Sequence, residues 1–283
     1  MAVEFQRSHE AQTTGLRVRG LTRRYWVRGS VWRKRSPVLA AEDVSFEIPA
    51  GKTLALVGSS GSGKSTVARC VARLEKPDGG EIWAGGTNIA QLGAAALAPF
   101  RTTIQMIFQD PVSSMNPRMS VAEIIAEPLL IQRCGNRQQI RSRVVQLMED
   151  VHVSSSAMTR RPAEFSGGQR QRIAIARALA AKPKLLVLDE ALTGLDLSTQ
   201  AQIANLLFEL QAGLGLTYLL ISHDLNLVAR MADTIAVMAS GKVVEQGPVA
   251  QITSQPRCPE TRALLAAASQ LQSALTAAQG ASR

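Results

Sequence analysis

One eight-residue run restricts the possible folds of this chain more than any other feature. Gly58-Ser-Ser-Gly-Ser-Gly-Lys-Ser65 follows the short apolar run of residues 53–57 and precedes a helical pattern that starts near Lys64. Glycines at these spacings let successive backbone N–H groups point inward, and the N-terminus of the following helix adds a partial positive charge. A flexible Gly/Ser linker would need neither the strand nor the helix. The sequence therefore predicts a strand, a polyphosphate-binding loop and a helix of an α/β protein.

The side chains of the loop and a downstream acidic pair predict the chemistry. Lys64 should supply positive charge to the β and γ phosphates, and Ser65 should be a ligand of Mg²⁺. The apolar run 185–188 stops at Asp189 and Glu190, and ligands bind at the carboxyl ends of strands in open α/β sheets. We expect Asp189 to hold Mg²⁺, most often through water, and Glu190 to orient and deprotonate the attacking water. The alternative for Glu190 is a solvated residue at a helix start. The predicted loop contacts to nucleotide are Gly58, Ser59, Ser60, Gly61, Ser62, Gly63, Lys64, Ser65 and Thr66.

The tetrapeptide Ser166, Gly167, Gly168, Gln169 begins a predicted helix between the loop and the acidic pair. The S-x-x-Q spacing is a capping box. A cap does not require two glycines at the first helical positions, where each weakens a helix by about 1 kcal/mol relative to alanine. Close approach of the backbone to an anion would require them. We therefore interpret this helix start as a second phosphate site.

His223 follows the apolar run 217–221 and is expected at the same sheet edge as Asp189. A lone histidine is more often structural. Its position favours contact with the γ-phosphate and orientation of Glu190.

Hydrophobic patterning predicts the remaining elements. Residues 16–48 read as a small antiparallel sheet broken by a polar insert. Residues 217–221 and 234–238 complete the main sheet. The segment 109–182 reads as helical without strands, which indicates a helical subdomain inserted into an α/β core, and a further helix follows Pro256. The expected helices are 64–73, 121–131, 137–151, 167–181 and 198–211.

Composition predicts a folded protein of a reducing compartment. The chain has 283 residues, of which 46% are hydrophobic and 19% charged, and no run approaches the roughly 18 apolar residues of a membrane span. The polar N-terminus and three widely spaced cysteines argue against a signal peptide and a disulfide framework. The net charge is +10, with an acid-free basic arm at 17–35. A solvated loop is favoured there over a nucleic-acid or membrane contact.

Together these residues resemble the nucleotide-binding subunits of ABC transporters over roughly 16–267. The resemblance implies a RecA-like P-loop core with an antiparallel β subdomain and an inserted helical subdomain. It places the nucleotide-binding domain at 14–250, with the helical subdomain at about 109–182, and a helical tail at 251–283. It further implies a head-to-tail dimer, in which each ATP lies between one subunit's phosphate loop and the signature Ser166–Gln169 of the other.

The resemblance also assigns roles outside the loop. Gln109 would contact Mg²⁺ or the lytic water and sense the nucleotide, and Asp196 would communicate across the dimer. An N-terminal aromatic would stack on adenine. Tyr25 is the best candidate, with Trp26 and Trp32 as alternatives, and each of the three could equally be a packing residue.

Residues 106–118, 164–172 and 256–265 are similar to the oligopeptide, dipeptide and nickel importer branch. Phe165 is usual in that branch, whereas Ala191-Leu-Thr-Gly194 departs from the commoner sequence before Asp196. Some members carry an iron–sulfur cluster near the C-terminus; Cys258 stands alone, so none is expected.

The resemblance implies an ATPase that uses ATP and Mg²⁺ to drive import of a peptide, nickel or related solute. Its expected partners are two membrane permeases, a second identical or related ATPase subunit and, indirectly, an extracytoplasmic solute-binding protein. Its expected place is the cytoplasmic face of the inner membrane. Alternatives are an ATPase of a soluble complex, as in phosphonate breakdown, and a nucleic-acid-associated ATPase that uses the basic arm. No nucleic acid is expected.

Overall fold

The computed structural model describes residues 14–27 and 36–268 of the chain. Trp32, the C-terminal part of the basic arm and the last residues of the predicted tail lie outside the described residues. The strands are β1 (Thr14–Val27), β2 (Ser36–Pro49), β3 (Thr53–Gly58), β4 (Gly79–Ala84), β5 (Thr87–Asn88), β6 (Ile104–Ile107), β7 (Leu185–Asp189), β8 (Thr217–Ile221), β9 (Thr234–Ala239) and β10 (Lys242–Pro248). The helices are α1 (Lys64–Val71), α2 (Ala94–Leu97), α3 (Phe100–Thr103), α4 (Val121–Ile131), α5 (Arg137–Asp150), α6 (Gly167–Ala180), α7 (Leu197–Leu214), α8 (Leu225–Met231), α9 (Val249–Ser254) and α10 (259–268).

The described strands form two sheets. The first has the order β2-β1-β4-β5 and is antiparallel. The second has the order β10-β9-β3-β8-β7-β6, and its strands are parallel except for β10 at one edge. Strand β3 lies between β9 and β8, and β7 lies beside β8. The carboxyl ends of β3, β7 and β8 therefore meet at one edge of the sheet, as the sequence predicts.

Strand β3 separates two hydrophobic cores. Leu54 and Leu56 pack in the core that contains the antiparallel sheet and α1. Ala55 and Val57 pack in the other core, with α4, α5, α6 and α7. Successive side chains of a strand point to opposite faces, and both faces of β3 are buried. A strand that is covered on both sides requires apolar residues at every position, and this explains the continuous apolar run before the phosphate loop.

The predicted fold class is confirmed, and most predicted elements end within a few residues of the observed ones. Residues 109–182 contain helices and no strand, as expected. Among the described strands and α-helices, eight are not predicted by the sequence: β4, β5, β6, β10, α2, α3, α8 and α9. Strand β6 has only four residues, and β10 is an edge strand with partly exposed side chains, so neither gives a clear apolar or alternating run. The domain boundary at residue 250 stays a prediction.

Within the described parts of the chain, no helix combines the length and the apolarity that a membrane crossing requires.

The three cysteines are free thiols in different environments. Cys70 is fully buried in α1, and burial raises its pKa to about 12. Cys134 is exposed, and the Cys258 thiol donates to the Val244 carbonyl at 3.1 Å.

Thiol titration with a chromogenic disulfide reagent at pH 8 should therefore distinguish them, because the thiolate is the reactive form. Cys134 should react fastest, and Cys70 only after unfolding in guanidinium. The Cys134→Ser variant should lose the fastest phase. Labelling of Cys70 in the native protein as fast as that of Cys134 would contradict the burial of Cys70 in α1.

Candidate nucleotide-binding and hydrolysis site

The phosphate loop is held in place by neighbouring backbone. A Cβ at Gly58 would lie 2.2 Å from the Met238 carbonyl oxygen, and one at Gly63 would lie 1.9 Å from that of Ala40. The Gly241 N–H, in the turn between β9 and β10, donates to the Ser62 carbonyl at 3.0 Å. Strands β2 and β9 thus approach the loop so closely that only glycine fits at these two positions.

The outer part of the loop is open. Ser59, Ser60 and Gly61 are exposed, and no atom lies within 4 Å of a Cβ built at Gly61. Gly63 is the N-cap of α1 and has no side chain to cap the first N–H groups. These free N–H groups and the helix dipole make the loop suitable for an anion. Thr66 lies buried in the first turn of α1.

Lys64 is a buried cation bonded to neutral oxygens. Its ammonium donates to the carbonyls of Gly58 and Ser59 at 3.0 and 2.8 Å and to the Ser62 hydroxyl at 3.3 Å. Burial lowers its pKa, against the opposing effect of Glu190 and Asp189. None of the described carboxylates forms a direct ion pair with it. A bound phosphate would give this ammonium a negatively charged partner.

Ser65 and Asp189 present two oxygen atoms to the same space. The Ser65 hydroxyl donates to a carboxylate oxygen of Asp189 at 2.9 Å. Burial raises the pKa of Asp189, partly offset by this hydrogen bond and by Arg69. A poorly solvated carboxylate beside a hydroxyl is a suitable donor set for Mg²⁺, which prefers oxygen ligands.

Glu190 and His223 meet at the ends of β7 and β8. The His223 Nδ1 lies 3.7 Å from a Glu190 carboxylate oxygen. Glu190 has a φ of 50°, in the left-handed region, and its N–H donates to the Ile221 carbonyl at 3.0 Å. Such a conformation costs a non-glycine residue about 1–3 kcal/mol. The cross-strand hydrogen bond to Ile221 holds the backbone in this conformation.

Gln109 lies two residues beyond the end of β6. Ile107 of β6 is in register with Leu188 of β7, so Gln109 follows its strand to the level at which Glu190 follows β7. Its side chain is exposed. The structure therefore brings Gln109 to the sheet edge at which Glu190 lies, whereas Asp189 is joined to the loop itself by its hydrogen bond with Ser65.

The Ser166–Gln169 tetrapeptide is a capping box, and its second glycine has a packing role. The Ser166 side chain accepts from the Gln169 N–H, and the Gln169 side chain accepts from the Ser166 N–H at 3.0 Å. A Cβ at Gly168 would lie 2.3 Å from Cγ2 of Thr199 in α7, whereas one at Gly167 would make only an ordinary contact. Packing thus explains Gly168 without an anion. The anion interpretation now depends on exposed Gly167 and the cap residues.

Asp196 is the N-cap of α7, next to this helix start. One carboxylate oxygen accepts from the Thr199 N–H at 2.9 Å and the other from the Thr199 hydroxyl at 2.7 Å. These hydrogen bonds lower the pKa of Asp196. In the described chain, the tetrapeptide contacts this segment and its own helix, and no hydrogen bond joins it to the phosphate loop.

Tyr25 lies half-buried near the end of β1. Its hydroxyl donates to Glu75, and the Arg23 guanidinium lies 4.9 Å from its ring centroid. The alternative Trp26 is 61% exposed.

Known proteins share this arrangement. Residues 41–193 match the family described as ABC transporter. The chain is 45% identical over 254 residues to the probable peptide ABC transporter ATP-binding protein y4tS of Sinorhizobium fredii, over 89% of this chain and 72% of that protein. The chain belongs to the ABC transporter family. It is an ATP-binding subunit of that family, and the resemblance seen in the sequence is confirmed.

Other relatives of this ABC protein are longer. It is 47% identical to the glutathione import ATP-binding protein GsiA of Salmonella typhimurium and 45% identical to the oligopeptide transport ATP-binding protein OppD of Mycobacterium tuberculosis. These alignments cover 89% and 90% of this chain, and 41% and 42% of the relatives. The chain thus spans about two fifths of those relatives.

Solved ABC cassettes have the same fold. The dimeric post-hydrolysis structure of the ATP-binding cassette MJ0796, bound to ADP and Pi, has a TM-score of 0.73 and 27% identity over 83% of this chain and 98% of that one. CbiO1 of Clostridium perfringens also has a TM-score of 0.73 and 27% identity, over 86% and 92% of the two chains.

Several residues that shape the site could not be identified from the sequence, because no motif or pattern marks them. Ala40 and Met238 act through backbone carbonyls, and Thr199 acts through a methyl group. Arg177 of α6 is a further example. It binds the Ser114 carbonyl at 2.8 Å and the Glu127 carboxylate at 2.6 Å, and so ties α6 to α4 and to the segment after Gln109.

The packing at Gly168 predicts opposite effects for two adjacent substitutions. Gly168→Ala should lower the free energy of unfolding by about 1–3 kcal/mol, because its methyl group overlaps Thr199. Gly167→Ala should be neutral or stabilising by up to about 1 kcal/mol, since alanine favours helix. Urea unfolding measures both.

The matched rescue is Gly168→Ala with Thr199→Ser, which removes the overlapping methyl group and keeps the hydroxyl bound to Asp196. It should recover most of the lost stability. If Thr199→Ser has no such effect, the contact does not explain Gly168.

Proposed function

We propose that this ABC ATPase drives import of a small solute of the peptide class through separate membrane permeases. The observation that carries the proposal is the placement of Lys64, the Ser65–Asp189 pair and the Glu190–His223 pair at one sheet edge. The names of the relatives y4tS, GsiA and OppD, which refer to peptide, glutathione and oligopeptide, support peptide-like solutes. They favour import over a soluble complex or a nucleic-acid partner.

The phosphate loop and Lys64 bind the ATP phosphates. The loop offers N–H groups at an already formed backbone, so binding requires no rearrangement of the chain. The Lys64 ammonium exchanges neutral carbonyl oxygens for phosphate oxygens, which stabilises the charge that develops in phosphoryl transfer. Ser65 and Asp189 would hold Mg²⁺, which neutralises phosphate charge when bound.

Glu190 is the general base of the proposed reaction. Its carboxylate orients a water molecule and takes a proton as the water oxygen bonds to the γ-phosphorus and the bond to the ADP oxygen breaks. His223, 3.7 Å from this carboxylate, keeps it in position. Gln109, on the neighbouring strand end, would contact Mg²⁺ or the water, and Tyr25 would stack on adenine.

A second ATPase subunit completes each site. The capped helix start at Ser166 and Gly167 is exposed and would contact ATP bound by the partner. Asp196, beside it, would transmit the partner's state. The partner is a second copy or a related chain. The assembly would lie on the cytoplasmic face of the membrane, and a solute-binding protein would act on its other side.

A groove between the two cores is the proposed permease contact. It has a volume of about 900 Å³ and is lined in part by Leu74, Gln105, Phe108, Glu127, Ile131 and Arg177. Leu74 and Ile131 are 58% and 76% exposed. The Arg177–Glu127 pair in the wall of the groove joins α4 to α6, the helix that begins at the signature. A movement of the groove would therefore be transmitted through α6 to the ATP that the second subunit binds.

Two substitutions separate binding from hydrolysis. Lys64→Ala should weaken ATP binding by tenfold or more, since it removes the buried cation, whereas Glu190→Gln should bind ATP and lose about 100-fold or more in turnover. Isothermal titration and phosphate release measure the two effects. Lys52→Ala, at the opposite end of β3, is the control. Normal turnover of both variants would refute the assignment.

Ile131→Asp tests the groove. The side chain is exposed, so folding and ATP binding should be unchanged, while a charge at an apolar contact should abolish co-purification with the permeases. Leu214→Asp, at the far end of α7 and 58% exposed, is the control. Permease binding that tolerates Ile131→Asp but not Leu214→Asp would place the contact elsewhere.

A further inference from the structure

The Glu75 carboxylate joins the candidate adenine-stacking residue to the phosphate-loop helix. One of its oxygens accepts the Tyr25 hydroxyl and the Arg23 Nε, the latter at 3.4 Å. The other accepts the Arg69 guanidinium at 3.1 Å. Arg69 lies in the last turn of α1, the helix that begins with Lys64. Glu75 therefore connects β1 of the antiparallel sheet to α1 of the core.

These contacts fix the orientation of the Tyr25 ring. A tyrosine ring has two free torsions, and its position is set when both the ring face and the hydroxyl are held. The Arg23 guanidinium covers one face at 4.9 Å from the ring centroid, a cation–π distance. Arg23 is itself held by Glu75 and by Asp78, which it contacts at 3.3 Å.

The protonation states of this cluster agree with that geometry. Burial raises the pKa of Tyr25, as does its bond to Glu75, and both outweigh the opposing effect of a hydrogen bond with Thr66, so the hydroxyl remains a donor. Burial opposes ionisation of Glu75, but hydrogen bonds from Tyr25 and Arg69 outweigh it and lower its pKa. At neutral pH the carboxylate is ionised and accepts.

We infer that Glu75 is a positioning residue for the nucleotide base, which holds Tyr25 with one face under Arg23 and the opposite face available for the base. The inference rests on the proposed role of Tyr25. A preset ring needs no ordering when the base binds, which increases affinity without adding a contact to the nucleotide. The contacts of Glu75 described above reach α1 through Arg69, in the last turn of that helix and far from Lys64 along it, so Glu75 should affect the base more than the phosphates.

The test compares ATP with inorganic tripolyphosphate, which has the phosphates and no base. Both affinities are measured by isothermal titration on the wild-type protein and the variants. Tyr25→Ala should raise the Kd for ATP about tenfold, because it removes the aromatic ring on which the base would stack. Glu75→Ala should raise it about fivefold, and the Kd for tripolyphosphate should change less than about twofold in both.

A double-mutant cycle tests whether Glu75 acts through the hydroxyl. Tyr25→Phe keeps the ring and removes the donor, so it should resemble Glu75→Ala, and the double variant should be no worse than either. Glu75→Gln keeps an acceptor and should restore part of the affinity. Glu47→Ala removes another carboxylate of the same sheet, one paired with Arg17, and should leave the ratio of the two affinities unchanged.

The outcomes separate the two claims. If Tyr25→Ala leaves the ratio of affinities unchanged, the proposed adenine contact is wrong. If Tyr25→Ala changes the ratio and Glu75→Ala does not, or if Glu75→Ala weakens ATP and tripolyphosphate equally, Glu75 supports α1 through Arg69 and the inference is overturned. Tyr25→Phe gives the answer even if Glu75→Ala fails to fold.

Discussion

The close approach of two backbone carbonyls to the phosphate loop is the constraint on which the rest of the site depends. The carbonyls of Met238 and Ala40 lie where side chains at Gly58 and Gly63 would be. They come from β9 and β2, which belong to different sheets. The loop is therefore fixed at the junction of the two sheets. Its N–H groups are preorganised for an anion, which reduces the entropic cost of binding.

Several residues of the same site adopt states that lower the stability of the folded protein. Lys64 is buried against neutral oxygens, Asp189 is buried with a raised pKa, and Glu190 is held at a φ of 50°. A sequence selected for stability alone would avoid each of these. Nucleotide phosphate and a divalent cation would satisfy the first two charges. Such a loss of stability is common at residues whose positions are set by function.

The sequence predicts the parts of the site that depend on side-chain chemistry at strand ends. The apolar runs before Gly58, Asp189 and His223 each stop abruptly, so the sequence alone predicts that these strand ends and their polar residues lie together. The family and the fold class followed from these residues and the Ser166–Gln169 signature, and both are confirmed. The roles assigned to individual residues stay predictions.

The remaining features could not be predicted because they depend on contacts between distant parts of the chain. Ala40 and Met238 contribute only carbonyl groups, which every residue has. The sequence favours an anion as the reason for Gly168, because it does not show that a Thr199 methyl group lies 2.3 Å from the Cβ position of Gly168. Glu75 is one acidic residue among 22 acids, and only the fold brings it to Tyr25.

The most direct test is a structure of the Glu190→Gln variant with ATP and Mg²⁺. We predict a phosphate loop whose Cα atoms lie within about 1 Å of their present positions, as expected of a preorganised site. The Lys64 ammonium should have left the carbonyls of Gly58 and Ser59 for phosphate oxygens. A loop that changes its backbone path, or a Lys64 that still binds these carbonyls while ATP lies elsewhere, would contradict a phosphate site fixed by the surrounding strands.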